Sequence, residues 1–540
     1  MKLMNLKIIL SIFLIFSLIF LSTASGIIIK KTVNKTNSTN LSYEKLANEE
    51  GNKEIKVIRI AQFPKSAGCD TLVEIMFNYG WISNNTTYKF EITELTFDES
   101  IGIGNNSLNN ENFDILYVGA NFDLRTKSGK DAKLQENVKS FIKNGGGFLG
   151  SCGGANFVIQ GYEDPLVHEK IVNQNVLKIV NVYSNSDWFG EARYLFNWKN
   201  DDNPLTMPNK TQGSAPIECK IERNNSNPIF SCYPYETVDL VYGGGPGMYP
   251  ANINSSLMGE VVPLLIINEE LMETKPIYLY RKGILPGYVP VRKVKTDLLG
   301  NYGSVATNYG EGKLVIFTGH PEIAPVLDGY VHQHVAKSKP YGFNTEVIRV
   351  WNSYVGEKQN MSYNWWIYRR AAAWIAGIPE SDFPPYEELT VFIDKPSFRV
   401  GPMIYFKDKI IATNSGIWNV DYSSLDPYFS FPILQNSRYG SRIVNHIIQN
   451  SIFSKYINTV IIGDITVEIY SENCDYVEFY LDDKLVFTNF SGSFNEMGEL
   501  SFNYKVDINN FRGIHNLKVI GYNSIGNFAW EESDYVFFNS

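Results

Sequence analysis

The chain has 540 residues, of which 44% are hydrophobic and 19% are charged, a composition typical of folded globular domains and not of disordered chains. This length exceeds what one hydrophobic core usually organises, so two or three domains are expected. The net charge of -9 argues against a nucleic-acid partner, because binding to phosphates requires a basic surface.

The N-terminus has the pattern of an export signal. Lysines precede an apolar run from Ile8 to Leu21, and small residues follow it. Ile27–Ile29 prolong the apolar stretch to a length that can span a bilayer. Residues 1–29 are therefore predicted to be either a cleaved signal peptide or an uncleaved membrane anchor, and the polar residues 30–54 a linker. The predicted location is extracellular or at the cell surface, with an N-terminal transmembrane helix if the segment is retained.

Residues 55–385 are predicted to form an α/β domain. Strand-like apolar runs lie at 55–63, 88–96 and 113–119, and apolar residues recur at helical spacing between them. This order predicts a parallel sheet with helices on both faces. Beyond residue 165 the strands become short, and SVATNYGEGKLVIFTG predicts two strands joined by a Gly-Glu-Gly turn.

The C-terminal third is predicted to contain strands without an alternating set of helices. Residues 386–458 are interpreted as a connecting β-rich region. Residues 459–540 alternate apolar and polar positions in short runs, which predicts an antiparallel sandwich that folds independently. The runs VEFYLDDKLV and GIHNLKVIGYN resemble the bacterial-type immunoglobulin-like modules of surface proteins.

Cys152 lies inside the glycine cluster NGGGFLGSCGGANF. A strand, the sequence Gly-x-Cys-x-Gly and a helix form the cysteine version of the nucleophile elbow, a tight turn that lifts the side chain off the sheet edge. The start of the helix favours the thiolate, and the N–H of Gly153 is predicted to be one donor of an oxyanion hole. Gly119 or Ala120, in the turn after the third strand, is predicted to supply the second donor. Buried filler is the alternative interpretation of Cys152.

The sequence KLVIFTGHPEI can supply a base for this cysteine. An apolar strand ends at Gly319, and His320 and Glu322 follow at positions i and i+2 of an extended segment, so their side chains project to the same side. Pro321 keeps His320 extended. Glu322 can accept the imidazole N–H, which leaves the other ring nitrogen to deprotonate Cys152. The sequence therefore predicts a catalytic triad of Cys152, His320 and Glu322.

The elbow and the His-Pro-Glu segment together resemble the class I glutamine amidotransferase superfamily. Within it, GGGFLGSCGGANF, VYGGGP and SVATNYGEGKLVIFTGHPE resemble the N-terminal domain type of biotin-protein ligases. The resemblance implies a flavodoxin-like three-layer sandwich with a mostly parallel sheet over residues 55–385. It also implies the triad and the oxyanion hole named above. The loop after the third strand reads VGANFD, which departs from the Pro- and Gly-rich loop of the superfamily.

These features predict an exported glutaminase-like thiol hydrolase or acyl transferase that acts on an amide or similar acyl bond of a small or peptide-like substrate. No ligase or synthase domain is recognisable, so hydrolysis or transfer is favoured over ammonia channelling. Gly244 and Gly245, in VYGGGPGMYP, are predicted to lie at the rim of the substrate pocket, with a tight structural turn as the alternative. The alternative function is a non-catalytic surface protein that keeps the amidotransferase-like fold and binds a ligand.

No metal and no cofactor is predicted. His332 and His334 lie on one side of an extended stretch, but a metal site would need a third ligand, such as His168 or a carboxylate. An exposed polar loop is the favoured interpretation. Cys219 and Cys232 are close enough in sequence to close a short loop as a disulfide in an oxidising compartment.

The export signal predicts that the mature protein lies outside the cytoplasmic membrane. Glycosylation motifs that begin at Asn34, Asn37 and Asn40 directly beyond the apolar run agree with this prediction. Cell fractionation should recover the protein in the membrane or exterior fraction. Recovery of the full-length chain in the soluble cytoplasm would contradict it.

Overall fold

The computed structural model describes residues 54–64, 71–119, 124, 128–165, 169–185, 215–242, 244–270, 278–282, 288–293, 297–322, 364–396, 403–406, 408–413, 459–494, 500–506 and 512–538. The predicted signal or anchor and the linker up to residue 53 lie outside these ranges. Among the described residues, no helix is long and apolar enough to cross a membrane.

The helices of the described residues are few and short. They are α1 Thr71–Phe77, α2 Phe97–Ser100, α3 Ala132–Lys143, α4 Gly153–Val158, α5 Glu169–Asn175 and α6 Trp365–Ile375. The strands before residue 320 are β1 Glu54–Gln62, β2 Tyr79–Ser83, β3 Thr86–Glu94, β4 Ile115–Val118, β5 Gly147–Ser151, β6 Val182–Ser184, β7 Ala215–Ile221, β8 Thr237–Tyr242, β9 Met248–Pro250, β10 Val262–Ile267, β11 Tyr278–Lys282, β12 Tyr288–Lys293, β13 Tyr302–Tyr309 and β14 Gly312–Phe317. The strands after it are β15 Thr390–Lys395, β16 Met403–Phe406, β17 Lys409–Thr413, β18 Val460–Ile462, β19 Ile465–Glu472, β20 Tyr476–Leu481, β21 Lys484–Asn489, β22 Ser493–Phe494, β23 Leu500–Val506, β24 Gly513–Tyr522 and β25 Phe528–Phe538.

A group of parallel strands lies at the centre, in the order β3, β1, β4, β5 and β14. Strands β4 and β5 are buried along their whole length, as expected where both faces of a parallel sheet are covered. Alternate residues face opposite sides. Tyr117 of β4 contacts Tyr368 of α6, with ring centroids 5.9 Å apart, whereas Leu116 belongs to the hydrophobic cluster that includes Leu134 of α3.

Antiparallel strands extend this group on its β14 side. The chain turns back between β13 and β14 through Gly310 and Glu311, and Gly310 has a φ of 59°. Strands β10, β7 and β8 follow in antiparallel order, and β9 pairs with both β13 and β6. The predicted Gly-Glu-Gly turn is therefore present, and it makes this side of the sheet antiparallel.

The prediction of a flavodoxin-like sandwich with a mostly parallel sheet is wrong. The described chain is mostly β, and most of its strands form one large mixed sheet, with two smaller sheets of two and four strands beside it. The reason lies in the connections. A short turn can join only antiparallel neighbours, whereas a parallel pair requires a long crossover. The crossovers lie in the first part of the chain, and tight turns between short strands dominate the rest.

The C-terminal part forms two facing layers of strands. One layer contains β21, β20, β24 and β25, and the other contains β15, β19, β23 and β22. Strand β15 comes from the region predicted to connect two domains, and it pairs with β19 from Thr390 opposite Glu472 to Lys395 opposite Glu468. Its residues Val391 and Ile393 are buried. The sandwich thus includes a strand upstream of residue 459.

Strand pairing and side-chain hydrogen bonds join the N-terminal part of the chain to the C-terminal strand layers. Strand β2 pairs with β25, with Tyr79 opposite Ala529. In addition, the Glu387 carboxylate accepts hydrogen bonds from the Tyr79 hydroxyl at 2.5 Å, from Asn527 at 2.8 Å and from Asn523 at 2.9 Å. The pairing of β2 with β25 makes the layer that contains β25 part of the large sheet, whereas the layer that contains β15 is a separate sheet.

The position of β15 predicts that a fragment of residues 386–540 is more stable than a fragment of residues 459–540. The shorter fragment lacks two fully buried aliphatic side chains and a pairing partner for β19, so its free energy of unfolding should be lower by about 3 kcal/mol or more. Chemical unfolding followed by circular dichroism measures the difference. Equal stabilities would show that β15 adds nothing to the sandwich.

Candidate active site

Cys152 occupies a strained turn between β5 and α4. Its backbone has φ 48° and ψ -103°, a conformation that a residue with a side chain rarely adopts. The Cys152 N–H donates to the carbonyl of Phe317 at 2.9 Å, which fastens the turn to the end of β14. Cys152 is partly buried and reaches the surface. Strand, strained residue and helix together form the predicted elbow.

Gly154, two residues after Cys152, allows helix α4 to approach the sheet. A Cβ on Gly154 would lie 1.9 Å from the carbonyl oxygen of Val118, so no other residue fits there without a shift of backbone. The Gly154 N–H donates to the carbonyl of Gly119 at 2.9 Å. The end of β4 therefore lies beside the elbow, as the sequence predicts. Gly153 begins the helix, so its N–H has no acceptor within the helix. Ala120 lies outside the described residues.

His320 and Glu322 form a buried pair. Nδ1 of His320 lies 2.8 Å from Oε1 of Glu322, and the two side chains are 1% and 0% exposed. The His320 backbone N–H donates to the carbonyl of Val241 at 2.8 Å, which anchors this segment to β8. A carboxylate at Nδ1 fixes the tautomer with its proton on that nitrogen, so Nε2 is the nitrogen suited to exchange a proton with a thiol.

The pairing of β5 with β14 sets Cys152 and His320 at one edge of the sheet. The strands are parallel, with Ser151 opposite Phe317. Cys152 directly follows the first strand, and His320 follows the second by three positions. Carboxyl ends of parallel strands meet at one edge, which is where sites in such sheets form.

Two further side chains support Glu322, and the sequence analysis did not assign either of them to the site. The Ser151 hydroxyl donates to Oε1 of Glu322 at 2.9 Å. The indole N–H of Trp365 donates to the backbone carbonyl of Glu322 at 3.1 Å. The sequence signal for Ser151 was a polar residue at the end of the apolar strand GFLGS. The sequence held no such signal for Trp365, because its helical spacing is that of a core residue, and it is indeed buried.

The loop that contains Gly244 and Gly245 packs directly against the nucleophile. A Cβ on Gly245 would lie 1.9 Å from the carbonyl oxygen of Thr318 and 3.2 Å from Cα of Cys152. The Thr318 hydroxyl donates to the carbonyl of Pro246 at 2.6 Å and ties the loop to the end of β14. Gly244 has a φ of 92°, which favours glycine. The loop is thus a tight turn that lies beside Cys152.

The other cysteines differ from Cys152. Cys219 and Cys232 are free thiols, so the disulfide suggested by their spacing is absent. Sγ of Cys219 packs against Gly303 of β13, inside the sheet. Burial raises the pKa of Cys219 and of Cys232, and it raises the pKa of Cys474 to about 12.

The histidines weighed as metal ligands, His168, His332 and His334, lie outside the described residues, and so does Cys69. Within the described ranges, no group of three or more His, Cys, Asp or Glu side chains is arranged to hold a metal ion.

No family model and no curated protein matches the chain. Among solved structures, a ThuA-like protein from Bacteroides uniformis is 12% identical, with 50% of this chain and 84% of that chain covered and a TM-score of 0.26. A cytoplasmic protein from Salmonella typhimurium is 12% identical, with 56% and 100% covered and a TM-score of 0.26. The fibronectin(III)-like modules of Clostridium thermocellum CbhA are 14% identical, with 16% and 90% covered and a TM-score of 0.13. These scores are too low to support an argument about fold or function.

The packing of Gly245 predicts that Gly245→Ala disturbs both stability and the nucleophile. The added methyl group meets backbone atoms that cannot move freely, so the free energy of unfolding should fall by about 1–3 kcal/mol and alkylation of Cys152 should change in rate. Gly259→Ala is the control, because its nearest neighbour would be 3.2 Å away and it lies next to Asn308 instead of Cys152. An unaltered Cys152 reactivity in a destabilised Gly245→Ala would contradict the contact.

Proposed function

We propose that the protein is an exported, glutaminase-like thiol hydrolase or acyl transferase that acts on an amide or similar acyl bond. The observation that carries the proposal is the buried His320–Glu322 pair, 2.8 Å apart, beside the edge where Cys152 occupies its strained turn. A core histidine needs no carboxylate in this position, whereas a general base needs a partner that fixes its tautomer and stabilises its cation.

The reaction follows from the roles of the three side chains. Cys152 attacks the carbonyl carbon as its thiol proton passes to Nε2 of His320, and Glu322 stabilises the imidazolium. The tetrahedral intermediate collapses, the C–N bond breaks, and His320 gives the proton to the leaving amine. Water then attacks the thioester with His320 as base, which releases the acid and restores the thiol. An amine or alcohol in place of water gives acyl transfer.

The oxyanion would be held by backbone donors at the elbow. We assign the N–H of Gly153 as one donor, and we keep Gly119 or Ala120 as the source of the second. Support for this assignment comes from the hydrogen bond between Gly154 and Gly119, which holds the end of β4 against the helix that follows the nucleophile. Gly244 and Gly245 would line the entrance, since their loop lies against Cys152.

The sequence motifs that resemble the class I glutamine amidotransferase superfamily are a second line of support for acyl chemistry at Cys152. The substrate we propose is a small or peptide-like amide, and contact with a membrane would come through residues 1–29 if they are retained. The site we propose uses no metal and no cofactor, because a thiolate, a base and two backbone donors suffice for acyl chemistry.

An activated Cys152 should react with iodoacetamide below pH 8 at least about tenfold faster than Cys232. Cys232 is the matched control because it is also partly buried and burial raises the pKa of its thiol. His320→Ala should remove most of the difference. Glu322→Gln should remove less, because the amide disturbs the orientation of the base without deleting it. Mass spectrometry of the labelled peptides gives the rates.

Equal labelling of Cys152 and Cys232 in the wild-type chain, unchanged by His320→Ala, would contradict the enzyme. The protein would then be better described as a surface protein that binds a ligand beside Cys152 without catalysis.

A further inference from the structure

Ser151 shares the Glu322 carboxylate with His320. The serine hydroxyl donates to Oε1 at 2.9 Å, and Nδ1 of His320 lies 2.8 Å from the same oxygen. Ser151 and Glu322 are both fully buried. Within the described residues, the carboxylate is therefore held through Oε1, by one neutral donor and by the base itself.

The surroundings of the second oxygen of the Glu322 carboxylate, Oε2, make the hydrogen bond from Ser151 more important. Oε2 of Glu322 is buried and has no hydrogen-bond partner among the described residues. Burying a polar oxygen is costly without a hydrogen-bond donor, and within the described part of the chain both donors to this carboxylate act on Oε1. Without the Ser151 hydroxyl, His320 would be the single donor in the described part of the chain, and the carboxylate could turn about its last torsion.

We propose that Ser151 is a positioning residue of the triad. Its hydroxyl orients the Glu322 carboxylate, and that carboxylate in turn orients the His320 imidazole toward Cys152. This role rests on the proposed function, because it requires His320 to serve Cys152 as a base. Ser151 ends the strand that leads into Cys152, so one short stretch of chain supplies both the nucleophile and the group that orients its base.

Ser304 offers a matched control for the loss of a buried hydroxyl. It lies on β13 opposite Phe317, and Phe317 lies opposite Ser151 on the other side, so the two serines occupy the same row of the sheet. Ser304 is also fully buried, but its hydroxyl has no hydrogen-bond partner among the described residues. Ser304→Ala therefore removes the same group from the same core without affecting Glu322.

The test is the rate of Cys152 alkylation by iodoacetamide in the full chain, measured against pH. Ser151→Ala should slow the reaction at neutral pH about tenfold, the effect of losing one hydrogen bond to a charged group. It should also move the acid limb of the profile to higher pH by about one unit, because a carboxylate that is less well oriented gives less support to the His320 imidazolium that accompanies the thiolate. Ser304→Ala should leave the profile unchanged.

A second pair of variants keeps the test valid if Ser151→Ala fails to fold. Ser151→Thr and Ser151→Val have the same shape and differ only in the hydroxyl, so Thr should restore the wild-type profile and Val should give that of Ser151→Ala. In a Glu322→Ala background, Ser151→Ala should add no further loss, because the serine acts through the carboxylate.

The outcomes separate this inference from the proposed function. Rapid, His320-dependent labelling of Cys152 with the same pH profile in Ser151→Thr and Ser151→Val would overturn the role of Ser151 and leave the enzyme standing. Slow labelling of wild-type Cys152, equal to that of Cys232, would overturn both. A shifted acid limb in Ser151→Val, absent in Ser151→Thr and Ser304→Ala, supports the role of Ser151.

Discussion

Parallel hydrogen bonding between β5 and β14 holds the site together. The two strands are separated by more than 150 residues of sequence, and neither carries a complete catalytic unit. Their register, with Ser151 opposite Phe317, sets the elbow next to the His-Pro-Glu segment. The bond from the Cys152 N–H to the Phe317 carbonyl continues this register one residue beyond the strand. A slip by one residue would turn each side chain to the other face and separate the nucleophile from its base.

The strain at Cys152 is maintained by its neighbours. A positive φ at a residue with a side chain is unfavourable, and it persists only where surrounding contacts determine the backbone. Gly154 packs against the Val118 carbonyl on one side, and Gly245 packs against Cα of Cys152 on the other. The absence of side chains at these two positions allows the chain to close around the nucleophile, which is partly buried.

The C-terminal sandwich is attached to this centre by a shared sheet. Pairing of β2 with β25 continues the hydrogen bonding from β3 into the sandwich, and Glu387 joins Tyr79 to two asparagines of the β24–β25 turn. Of these bonds, the one from the Tyr79 hydroxyl to Glu387 crosses between the two parts, and the bonds to the asparagines hold Glu387 in place. The arrangement gives the sandwich a structural connection to the β1–β3 region, where a flexible tether would give none.

The sequence by itself determined the features that depend on residues close to one another in the chain. The glycines around Cys152 and the i, i+2 spacing of His320 and Glu322 act over a few residues, so the elbow and the buried pair followed from the sequence, as did the Gly-Glu-Gly hairpin. The tertiary structure decided what depends on distant partners. It made the sheet mixed instead of mostly parallel, brought β15 into the sandwich and left Cys219 a free thiol. It also directed the Ser151 hydroxyl to Glu322, because strand register alone brings residues so far apart in sequence into contact.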